Sequence, residues 1–126
     1  MKVYLAGLRT ASEANQREHW RRRHARATMQ KQSVILDVGQ RASEFPPLPV
    51  VVTMTRVAPR AMDGDNLIVS FKAIRDSLAT LLLPEAAQGN QHGSRGDDSD
   101  SRITWKYAQR KGGVRHYAVE ITIESA

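Results

Sequence analysis

The chain has 126 residues, 40% of them hydrophobic, no cysteine, and 19 Lys and Arg against 13 Asp and Glu for a net charge of +6. That length suits one domain that buries its own core. The absence of cysteine excludes a disulfide framework, a thiolate zinc site and a cysteine nucleophile. No apolar run reaches the roughly 18–20 residues of a membrane span, and the apolar stretch at the N-terminus is too short for a signal peptide, so a cytoplasmic protein with no membrane partner is expected.

Residues 2–9 read as a short strand. From Ser12 the chain offers cap-type residues and then a run of helix formers without Gly or Pro, which predicts a helix over about 13–41. Its apolar stripe is thin (Trp20, Ala27, Val34, Ile35, Val38), and Trp20, its largest apolar group, is expected as a core anchor. Pro46-Pro47-Leu48-Pro49 ends that helix. Val50–Val57 carries β-branched residues on both faces, as in an interior strand covered on both sides. After a loop over residues 58–64, Asp65 or Asn66 is placed to cap a second helix reaching about Leu83. Leu67, Phe71, Ile74, Leu78 and Leu81 or Leu82 form its core face.

Residues 84–101 form a long polar loop, of the kind that is usually functional or mobile in a small domain. Ile103, Trp105 and Tyr107 then alternate with polar neighbours. Past the turn at Lys111-Gly112-Gly113, Tyr117, Val119, Ile121 and Ile123 do the same, which predicts a hairpin with one buried face. The expected fold is therefore α/β (α+β): a single two-layer domain over 1–126, a mixed sheet with two main helices, in the order βαβαββ.

The charge is unevenly placed. Residues 1–60 balance at +7 and residues 61–126 at −1, and 14 of the 19 basic residues are Arg. Arginine favours bidentate phosphate contacts, so a polyanion partner is expected. Between Gln16 and Lys31 the predicted helix carries Arg17, Arg21, Arg22, Arg23, Arg26 and Lys31 against one acid. Phosphate-loop, dinucleotide and nucleophile-elbow motifs are absent, which argues against a nucleotide cofactor. The four histidines, 19, 24, 92 and 116, lack metal-site spacing.

Two acidic clusters stand out: Asp63-Gly64-Asp65-Asn66 at the mouth of the second helix, and Asp97-Asp98-Ser99-Asp100 at the end of the long loop. Taken alone, Asp65 reads as a helix cap and the loop aspartates as solvated charge. Taken together, beside a basic half, they suit a hard divalent cation that polarises a phosphodiester.

The run Arg60-Ala61-Met62-Asp63-Gly64-Asp65-Asn66-Leu67, then Lys72-Ala73-Ile74-Arg75-Asp76-Ser77-Leu78, then the aspartates before Ile103, resembles the RusA-like Holliday junction resolvases. These are small crossover junction endodeoxyribonucleases of phages and prophages. The resemblance extends to Asn15–Trp20 with its trailing arginines, to Val50–Arg60 and to Trp105–Lys111. It implies a homodimer in a bacterial or phage-infected cell that binds four-way DNA junctions and cuts them with Mg²⁺, or Mn²⁺ in its place. Asp63 and Asp65 match the family's paired metal ligands. For the third, counting back from Ile103 selects Asp100 and matching the adjacent pair selects Asp97 and Asp98; Asp100 is preferred. The family's helix lysine falls four residues after the second aspartate, where this chain has Val69. Lys72, seven residues on, lies within about 40° of the same helix face.

Arg56 and Arg60 are placed to hold a phosphate near the metal, and the basic helix to grip the DNA backbone. Two other functions fit the same residues: a non-catalytic DNA-binding accessory protein, and a metal-dependent nuclease or phosphatase on simpler nucleic acids.

Overall fold

The computed structural model describes residues 1–11, 20–84 and 99–126. Strand β1 (Lys2–Ala6) is followed by helix α1 (Trp20–Asp37), a 3₁₀ helix (Gly39–Glu44), strand β2 (Val50–Ala58), helices α2 (Gly64–Ser70) and α3 (Lys72–Leu82), and strands β3 (Ile103–Lys111) and β4 (Ala118–Ser125). This is the α+β domain with a mixed sheet that the hydrophobic pattern predicts.

The sheet order is β1-β4-β2-β3. β4 runs antiparallel to both β1 and β2, while β2 and β3 are parallel, from Val50 opposite Ile103 to Ala58 opposite Lys111. The predicted hairpin is therefore wrong. β3 and β4 are successive in sequence but lie on opposite sides of β2, and the chain between them crosses the end of β2. Gly112 makes that crossing possible: its N–H donates to the Ala58 carbonyl at 2.8 Å. A Cβ there would stand 2.9 Å from the His116 carbonyl oxygen and 3.1 Å from Val57 Cγ1. Arg115, at φ +58, completes the turn.

One face of the sheet carries the core. Val3 and Leu5, Val52 and Met54, and Val119, Ile121 and Ile123 are buried against Val34 of α1, Val38 just after it, and Leu67, Phe71, Ile74, Leu78 and Leu82 of α2 and α3. These helical positions recur three and four residues apart, so one apolar stripe continues through both helices. Phe71, fully buried at the junction of α2 and α3, has φ −94° and ψ 3°, and its ring lies 6.0 Å from that of Tyr107. What reads in sequence as one helix is two, bent at this anchor.

The alternate positions of β2, Val51, Thr53 and Thr55, are half-exposed, so the strand is covered by helices on one face only. Its β-branched residues reflect its interior place in the sheet. α1 also departs from expectation. It ends at Asp37, because Gly39 is a poor helix former, and a separate 3₁₀ turn follows. Trp20 is 65% exposed with the Arg21 guanidinium 5.5 Å from its ring, and the buried apolar anchors are Val34 in α1 and Val38 just after its end. Among the described residues no helix is long and apolar enough to cross a membrane.

Candidate active site beside a basic cleft

β2 delivers its chain to the end of the sheet where β3 also finishes. The loop 59–63 turns there, and Asp63 takes the position before the first turn of α2. This corrects the expectation that Asp65 or Asn66 caps the helix. The Asp63 carbonyl accepts from Leu67 N–H at 2.8 Å, but its side chain makes no capping bond. Asp65 lies in the first turn of α2. Both carboxylates are exposed, and neither bonds to another described residue. Gln109 fixes the loop before them: its side-chain amide donates to the Met62 carbonyl at 2.8 Å and accepts from Met62 N–H at 3.0 Å.

Asp100 is elsewhere. It precedes Ile103, which pairs with Val50 at the start of β2, whereas Gln109 pairs with Arg56 near its end. Six residues of strand at about 3.3 Å each separate the two registers by about 20 Å. Within one chain, Asp100 therefore does not join Asp63 and Asp65. It is bound instead to Arg102, which donates from its backbone N–H at 2.9 Å and from Nε and Nη2 at 3.0 and 2.9 Å. These bonds, the side-chain ones foremost, hold its pKa down at about 2. Among the described residues no three His, Asp or Glu side chains form a metal-binding group. Asp97, Asp98 and Arg17 lie outside the described residues.

Two carboxylates where the loop enters α2 still fit Mg²⁺, which commonly uses one or two protein carboxylates and completes its octahedron with water and phosphate oxygens.

Lys72, exposed at the start of α3, lines a groove with Arg23, His24, Lys31 and Asp76, away from the mouth of α2. Arg21, Arg22 and Arg23 are exposed on α1, and Arg26 and Lys31 are half-buried. Of these, Arg23 and Lys31 share the groove with Lys72.

The residues expected to hold phosphate, Arg56 and Arg60, meet in a cleft immediately before Asp63. Arg56 is only 9% exposed, and its Nη1 donates to the Arg60 carbonyl at 2.5 Å. Burial lowers its pKa from the ordinary arginine value; the Tyr117 phenol opposes this and the Arg9 cation adds to it. Arg9, Thr10 and Tyr117 complete the cleft, of about 330 Å³, and none of them carries a local sequence signal. Gly7, at φ +78, turns the chain after β1, and the buried Gln30 of α1 donates to the Arg9 carbonyl at 2.8 Å, bringing Arg9 and Thr10 to the cleft. The Arg9 guanidinium lies 4.6 Å from the Tyr117 ring centre. A second cleft, of about 370 Å³, adds Gln109, Arg110 and Lys111 on the other side of the 59–61 loop.

No protein-family model, curated protein or solved structure matches the chain.

Proposed function

We propose that this protein is a metal-dependent endodeoxyribonuclease acting on branched DNA, four-way junctions foremost. The observation that carries the reading is the carboxylate pair Asp63 and Asp65. Both are exposed and free of structural bonds to described residues, and they directly follow a cleft that gathers Arg9, Arg56 and Arg60. Like charges two residues apart repel, and a cation between them relieves that cost. Asp63 and Asp65 would hold Mg²⁺ or Mn²⁺, which when bound supplies Lewis acidity at a phosphodiester. Arg56 and Arg60 orient the phosphate, and the exposed arginines of α1 bind flanking backbone without reading sequence. Lys72 serves this DNA track from its groove.

Asp100 enters this reading through a second copy of the chain. Among the described residues, β3 is a nine-residue edge strand with one side of its ladder open. Two copies joined antiparallel along this edge by a two-fold axis set the start of one β3 against the end of the other. Asp100 of one protomer then stands on the side where its partner carries Asp63 and Asp65.

Mixing tests this: Asp63→Asn and Asp100→Asn, each inactive alone, should regain junction cleavage when combined, because the mixed dimer holds one intact site. No recovery, with mixed dimers demonstrated, would place the site within one chain. The alternative, a DNA-binding accessory protein without catalysis, is favoured by the engagement of Asp100 with Arg102 far from the pair. Junction binding without cleavage under Mg²⁺ or Mn²⁺ would select it.

A further inference from the structure

Two residues lining the cleft beside Asp63 carry buried donors that no described residue uses. Arg56 is nine-tenths buried and Thr10 is 3% exposed, and among the described residues neither the Arg56 Nε nor the Thr10 hydroxyl has a hydrogen-bond partner. Buried donors without partners are uncommon, because each forfeits its hydration without compensation. Two in one cleft, beside the exposed guanidinium groups of Arg9 and Arg60, ask for an acceptor that several donors can share. Among the described residues no carboxylate lines this cleft. Its positions are also fixed from outside: Gln30 holds the Arg9 carbonyl, and Gly7 N–H donates to the Tyr117 carbonyl at 2.8 Å.

We infer that the cleft of Arg9, Thr10, Arg56 and Arg60 is an oxyanion site that receives one tetrahedral phosphate group. Guanidinium forks match phosphate oxygens in pairs, and the threonine hydroxyl donates a further bond. The site deepens the nuclease reading, on which its link to the DNA backbone rests. Its occupant is either a backbone phosphodiester or free phosphate, and the two are separable.

The test needs neither metal nor cleavage. Calorimetric titration of the full chain with sodium phosphate in EDTA, against sodium chloride at equal ionic strength, should show binding by the wild type. Arg60→Gln should weaken it about tenfold or more, and Thr10→Val about threefold, the losses expected for charge-assisted and neutral hydrogen bonds. Thr10→Val keeps shape and removes an unpaired hydroxyl, so it should remain folded. In a second arm, Arg9→Gln with Arg60→Gln should weaken binding of a short duplex, and phosphate should compete with that duplex, if the occupant is the backbone. Unchanged duplex affinity with phosphate binding lost would identify free phosphate. The inference is overturned if the wild type binds no phosphate, or if Thr10→Val and Arg60→Gln bind it as the wild type does. The phosphate titration is run in EDTA and reads no cleavage, so failure of the nuclease reading is seen separately.

Discussion

Replacing Arg56 by Met tests whether the buried guanidinium serves a ligand or the fold. The side chain is 9% exposed and, among the described residues, makes one hydrogen bond, to the Arg60 carbonyl, while its Nε has no partner. Replacing a whole buried ion pair by apolar groups of similar size is often neutral or stabilising by about 1–4 kcal/mol, and removing Arg56 strands no carboxylate among the described residues lining the cleft. Loss of the charge-assisted bond to Arg60 returns about 1.5–3 kcal/mol of this, less here because Arg60 sits on an exposed loop and its carbonyl can rehydrate. The net expectation is a ligand-free protein more stable by about 1 kcal/mol, or about 4 °C in Tm for this chain length. Urea unfolding in phosphate-free buffer containing EDTA measures it, with an unchanged slope marking an unchanged folded state. DNA affinity should fall in the same variant, since stability and binding trade against each other at such sites. A loss of about 3 kcal/mol or more would show that Arg56 holds the fold together, and the argument from its unused donor would fail.

Three further expectations follow from other parts of the fold. The pKa of Asp100 is held at about 2, against an ordinary 3.8, so its bonds to Arg102 add stability above about pH 4 that is lost as pH falls toward 2. Asp100→Asn lacks that contribution, so acid titration followed by circular dichroism should show the two proteins' stabilities converging across this window; parallel curves would refute it. Gly112→Ala should cost about 1–3 kcal/mol in thermal unfolding, because its methyl meets the His116 carbonyl at 2.9 Å and Val57 at 3.1 Å. A neutral result would mean that the crossing over β2 is looser than described. Neutralising Arg21 and Arg23 should weaken binding to junction, duplex and single strand alike. It should also flatten the salt dependence of log K by about 1.8 for duplex if each arginine neutralises one phosphate; loss confined to junctions would contradict a backbone-contact role for α1.

The fold class was legible because the hydrophobic spacing of Leu67, Phe71, Ile74 and Leu78 and the alternation in β3 and β4 are local signals. The strand order was not. Alternating runs on either side of Gly112-Gly113 look like a hairpin, and only the sheet as a whole shows β4 inserted between β1 and β2. The same limit governs the site. Asp63 and Asp65 sit at the mouth of a helix, as their spacing indicates, with Asp63 rather than Asp65 in the capping position. Asp100, close to them in motif order, is carried to the other end of the sheet because β3 runs parallel to β2. Arg9 and Thr10 reach the cleft through tertiary contacts, so nothing around them in sequence marks them. Trp20 misled for a related reason: its size suggested a core anchor, but the buried line runs through Gln30 and Val34 of α1 and on to Val38 just beyond it.

The central claim, that Asp63 and Asp65 hold the cation with which this protein cuts branched DNA, is tested most directly by one cleavage assay. Wild type and Asp63→Asn would be compared on a synthetic four-way junction with Mg²⁺ and with EDTA, alongside binding to the same junction. The account predicts symmetric, Mg²⁺-dependent cleavage by the wild type, and none by Asp63→Asn while junction binding persists. Undiminished cleavage by Asp63→Asn, or cleavage that continues in EDTA, would contradict it.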